Sequence, residues 1–183
     1  MTSNVETIYQ NALLADAAYI DFKVGVHVES NGVIKDTKET FDLFLERGFT
    51  LMQFEEFRAK YKVYQDPNGE LAHQQNSLTN VGFAATIFEE QTTHKLTVAF
   101  RGTEGDKLSA APADLVQNLA LALGLSSTVG QVMQDGKIAG FLEDAGLLDG
   151  DGNPAAGFAH QVDFVGHSLG EHLTLTPHLS MAV

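Results

Sequence analysis

The sequence predicts an α/β domain, on three observations. Helical patterns dominate residues 4–61, β-branched and aromatic runs follow between 81 and 100, and a last short strand over 161–165 runs straight into Gly166-His167-Ser168-Leu169-Gly170. The 183 residues amount to one domain. With 44% hydrophobic residues there is material for a core, and 19% charged residues is too few for a disordered chain.

The elements follow in order. Residues 4–20 carry a helical stripe at Ile8, Ala12, Leu13, Ala15 and Tyr19. Residues 21–40 are mixed, with a turn at Asn31-Gly32. A second helix is expected from Lys38 to Glu46 through Phe41, Leu43, Phe44 and Leu45, stopped by Gly48 as a C-terminal glycine stops a helix. Thr50 with Gln53 three residues on fits a capping box, opening a third helix through Phe54, Phe57 and Tyr61. Asp66-Pro67-Asn68-Gly69 is a turn. Val81–Phe88 and Leu96–Phe100 read as strands with a polar connection. Pro112 opens a helix that runs through Leu123, and another is expected from about Ser127 to Leu142. Gly and Asp dominate 146–152. There is no internal repeat and no second domain.

Composition excludes several classes. Eleven Lys and Arg against 24 Asp and Glu give a formal charge of −13, a field that repels a phosphate backbone, so nucleic acid is not an expected partner. With no cysteine there is neither a disulfide framework nor a thiolate metal site. The N-terminus lacks the basic and apolar regions of a signal peptide. The longest apolar stretch, Leu119–Leu125, is far short of the ~20 residues that span a bilayer, so no transmembrane segment is expected and the chain reads as soluble.

The most informative feature is Gly-x-Ser-x-Gly at 166–170, the nucleophile-elbow pattern. A serine aimed at substrate from the top of a sheet sits on a very tight strand-to-helix turn. Glycines two before and two after it remove side chains that would strike the neighbouring strand and helix. The N-terminus of the helix that follows then faces developing negative charge. An apolar strand before the motif and a helix-compatible stretch after it supply the required context. Upstream, Phe100-Arg101-Gly102-Thr103 ends a strand in the order expected of an oxyanion-hole loop. Ser168 is therefore the expected nucleophile, with the backbone N–H groups of Thr103 and Leu169 as the expected oxyanion hole. Each such donor contributes ~2.7–4 kcal/mol where removal has been tested.

Four segments together carry a family resemblance: Ala15-Asp16-Ala17-Ala18-Tyr19, Leu45-Glu46-Arg47-Gly48-Phe49-Thr50, Ala99-Phe100-Arg101-Gly102-Thr103-Glu104 and Val165-Gly166-His167-Ser168-Leu169-Gly170. In this order they resemble the bacterial calcium-dependent RTX lipases exported by type I (ABC) systems, over nearly the whole chain up to about residue 175. The resemblance implies an α/β-hydrolase catalytic domain followed by a C-terminal β-roll, hydrolysis of triacylglycerol and other carboxylic esters by Ser168, a lipid or ester substrate, and calcium. It also implies secretion through an ABC exporter, although a chain without the C-terminal export signal stays cytoplasmic. Mobile lids would fall at 112–125 and 40–61. For 112–125 an ordinary buried helix fits the periodicity equally well.

For calcium, the matching region offers Asp114 and Asn118, one helical turn apart. Two oxygens are few for an ion that takes 6–8, and both residues also fit a solvated helix start capped by Asp114. Asp149-Gly150-Asp151-Gly152-Asn153 begins like an EF-hand loop but has Pro154 at position six and His160 at position twelve, and so reads as a polar loop.

The pattern also departs from the family. The triad of this fold runs Ser, acid, His along the chain. After Ser168 the sequence has Glu171 as its one acid, with His172 and His178 close by on or just past the elbow helix. Glu171 stands where the relatives have glycine. The expectation is thus an incomplete α/β-hydrolase domain, the N-terminal catalytic part with lid helices, its later strands and β-roll missing. Two functions follow from it: a serine ester hydrolase, or a catalytically inactive lipase remnant lacking the triad Asp and His.

Overall fold

The computed structural model describes residues 4–74, 84–101, 138–156 and 162–166. Helix α1 spans Asn4–Ala17, α2 Lys38–Glu46 and α3 Leu51–Lys60; the strands are β1 Tyr61–Val63, β2 His73–Gln74, β3 Ala85–Glu90, β4 Leu96–Phe100 and β5 Val162–Gly166. A further helical segment covers 138–144.

Local chemistry accounts for the helix boundaries. Thr37 caps α2, its side chain accepting from the Thr40 amide, and Gly48 follows the helix at φ +85°. The capping box at α3 is formed in both directions: the Gln53 amide donates to Thr50 Oγ1 at 3.2 Å and the Thr50 amide to Gln53 Oε1 at 2.9 Å. Helix α1 stops at Ala17, three residues earlier than the stripe suggests, because the Tyr19 and Ile20 amides turn back to the Asp16 and Ala17 carbonyls. Helix α3 stops one residue short of its expected end, since Tyr61 already pairs as the first residue of β1.

The sheet runs β1-β3-β4-β5, with β2 continuing the β1 edge along β3. β1, β2 and β4 pair antiparallel with β3, whereas β4 and β5 are parallel. β1 and β2 escape the sequence patterns because they are three and two residues long, too short to show a period of two. β3 runs to Glu90, two residues beyond the expected end, and β5 runs to Gly166, one beyond. Strand residues alternate between two apolar layers. Phe88, Ala99 and Val165 pack with α1–α3 on one face. Ile87, Val98 and Phe100 pack with Ile138, Phe141 and Leu142 on the other. Both faces are covered, which explains why β3 and β4 read as nearly continuous apolar runs.

Candidate functional site

The site begins with register. In the parallel pair β4/β5, Leu96 lies opposite Val162 and Phe100 opposite Gly166, so the two strands end side by side at one edge of the sheet. Phe100 and Phe164 stack beneath that edge, their rings 6.2 Å apart and 6° from parallel. From this edge the chain continues into Arg101-Gly102-Thr103 on one strand and His167-Ser168-Leu169 on the other. In parallel sheets the edge at the strand C-termini is where ligands bind. Ser168, Thr103 and Leu169 lie outside the described residues, as do Asp114 and Asn118 and the helix expected at 112–123.

Arg101, the first residue past β4, is buried. Its amide donates to the Ala84 carbonyl at 3.0 Å, and its guanidinium lies 5.2 Å from the centre of the Tyr19 ring. Arg47, in the turn between α2 and α3, places its own guanidinium 5.3 Å from the same ring. Three of the four motif segments thus meet at one aromatic side chain. The sequence places these residues in three separate segments, and nothing local links positions 19, 47 and 101.

A second cluster lies one row in from the edge. His73 of β2 pairs with Thr86, which pairs with Ala99. The His73 side chain is 6% exposed; its Nδ1 is 2.7 Å from Thr86 Oγ1 and its Nε2 3.4 Å from Asp21 Oδ1. Because a carboxylate only accepts, neutral His73 donates from Nε2 to Asp21 and accepts the Thr86 hydroxyl at Nδ1. Burial pushes the imidazole below the ordinary histidine range; the Asp21 hydrogen bond and charge counter this, and Arg101 adds to it. This Asp–His pair resembles part of a triad, but its placement rules it out as the base. Both ring nitrogens are engaged, and β2 is three strand spacings from β5, about 14 Å at ~4.8 Å per strand.

The other described histidines are no better placed. His94 sits in the β3–β4 turn, at the opposite end of β4 from Phe100, with Nδ1 2.6 Å from Glu89 Oε1. His27 Nδ1 contacts the Asp21 carbonyl at 3.2 Å. A cavity of about 210 Å³ beside His73 is lined by Asp66, Glu70 and Asp144. Three carboxylates there would oppose a developing oxyanion.

Among the described residues, no group of three or more His, Asp or Glu could hold a metal ion. The loop that begins like an EF-hand is closed by its own contacts: the Asp149 carboxylate accepts from the Asp151 and Asn153 amides at 3.0 and 2.9 Å. These bonds, the one from Asn153 first, hold Asp149 below the usual carboxylate range. The loop therefore stands as a polar turn. Among the described residues, no helix is long and apolar enough to cross a membrane. No family model matches the chain, and no curated protein or solved structure matches it.

Proposed function

We propose that the chain is the nucleophile-bearing part of an α/β-hydrolase that cleaves carboxylic esters of apolar acyl chains, as the likeness to RTX lipases implies. The observation that carries this reading is the register of β4 and β5. With Phe100 opposite Gly166, the segment holding Thr103 and the segment holding Ser168 and Leu169 leave neighbouring strands at the same edge. That is the relation an oxyanion loop must bear to a nucleophile elbow. In the first step Ser168 Oγ attacks the ester carbonyl carbon and passes its proton to a base. The carbonyl oxygen, now an oxyanion, accepts from the Thr103 and Leu169 amides. Collapse expels the alcohol, whose oxygen takes the proton back from the base, and leaves an acyl-serine, which water hydrolyses to the acid and free serine. Calcium remains an implication of the resemblance, with Asp114 and Asn118 as the residues it names.

A second reading is a catalytically inactive lipase-like domain that binds apolar chains without turnover. It is favoured by the placement of two of the described histidines: His73 has both ring nitrogens engaged three strands away from β5, and His94 lies at the opposite end of β4 from Phe100. Loss of the base in such a machine costs ~10⁶ in turnover. A fluorophosphonate probe separates the two. Stoichiometric labelling that is abolished in Ser168→Ala supports the hydrolase; absence of labelling in the wild-type chain overturns it in favour of the inactive domain.

A further inference from the structure

The end of β4 is held from two sides. The Arg101 amide is fixed on the β3 side by the Ala84 carbonyl at 3.0 Å. Its side chain, buried under the edge, is fixed on the α1 side by the Tyr19 ring at 5.2 Å. Tyr19 is itself firmly seated: Ala17 and Ala18 before it are fully buried, and its amide closes the turn that ends α1. Arg47, just before the positive-φ Gly48, brings the α2–α3 turn onto the same ring at 5.3 Å. A flat cation over an aromatic face is directional as well as attractive, so the ring constrains where the guanidinium lies.

We infer that Tyr19 is a positioning residue that, gripped by Arg47 and Arg101, sets the direction in which the chain leaves β4 towards Thr103. The inference rests on the hydrolase reading, because its consequence is the placing of an oxyanion donor. Such donors act only within a narrow distance of the oxyanion, and a misplacement of about 1 Å costs on the order of a hundredfold in rate. Arg101 stands two residues before Thr103, close enough for a shift of its side chain to be felt there. The role inferred for Tyr19 is exerted through Arg101, on which its ring bears.

The test is the second-order rate at which a fluorophosphonate labels Ser168, measured in the full chain well below the melting temperature of each variant and corrected for the folded fraction by circular dichroism. Tyr19→Leu, which removes the aromatic face, is expected to slow labelling tenfold or more. Tyr19→Phe, which keeps it, is expected to restore the rate to within about twofold of wild type. A corrected wild-type rate in Tyr19→Leu overturns the inference and leaves the hydrolase reading intact. No labelling of the wild type overturns both. If Tyr19→Leu does not fold, Arg47→Gln and Arg101→Lys decide: the inference predicts slowed labelling in each, and wild-type rates in both overturn it.

Discussion

At the scale of single residues, two glycines with nearly the same backbone angle separate two physical costs. Gly32 has φ +80°, and a Cβ there would lie 2.0 Å from the Val63 carbonyl oxygen, in a place where the Gly32 carbonyl already accepts from the Val63 amide. Gly48 has φ +85° and open space around it. Gly48→Ala is therefore expected to cost only the left-handed conformation, about 1–2 kcal/mol. Gly32→Ala adds a backbone collision and is expected to cost about 3–5 kcal/mol, the range of the most damaging single changes. Urea denaturation of the two variants checks this, and equal losses would sink the steric argument. Gly48 was legible in the sequence because a glycine after an apolar helical pattern marks a C-terminus. Asn31-Gly32 was legible as a turn, but the approach of Val63 was not, since it depends on a strand 31 positions away. Tyr19, Arg47 and Arg101 were hidden for the same reason.

At the scale of elements, contacts between non-neighbouring segments govern the response to pH. His73 ties β2 and the Asp21 loop to β3. Its folded pKa is lowered, chiefly by burial, so the unfolded chain binds more protons as pH falls below about 6.5. The stability contributed by neutral His73 is thus present above that value and is lost as pH drops towards the folded pKa. Glu89 acts in a lower window. Burial raises its carboxyl, but hydrogen bonds from His94 and Lys62, with their charges, outweigh this and hold it below the usual range. Its contribution is present above the ordinary carboxylate pKa and is lost as pH falls through the lowered folded value. Denaturation midpoints should accordingly fall in two stages on acidification. His73→Gln, which keeps a hydrogen-bonding side chain but does not titrate, should shrink the first stage and spare the second; an undiminished first stage in that variant would refute the assignment. Elements with their own end signals, α2 and the capping box of α3, were read from sequence to the residue at their starts. β1 and β2 carry no such signals and exist only because β3 offers an edge to pair with.

For the whole molecule, the sheet separates two apolar layers, and the layer under α1–α3 is knit by rings. Phe44 lies 4.9–6.1 Å from the rings of Phe22, Phe49, Phe54 and Phe57 and is fully buried. Phe44→Ala is expected to destabilise by about 3–5 kcal/mol, a large part of the 5–15 kcal/mol typical of a domain. A loss under 1 kcal/mol in urea would show that this layer is not what holds the helices to the sheet. The amino-acid sequence by itself determined the helices of the first 60 residues and the strands β3, β4 and β5. Caps, periodicity and turn glycines act over a few residues, so a local pattern suffices for them. Only the tertiary structure decided that Phe100 lies opposite Gly166, that Asp21 reaches His73, and that two arginines share the ring of Tyr19. Each of these depends on strand register and on the burial of both sheet faces. A one-residue slip would turn every side chain of a strand to the other layer, so register is set by the assembled core and not by any single segment.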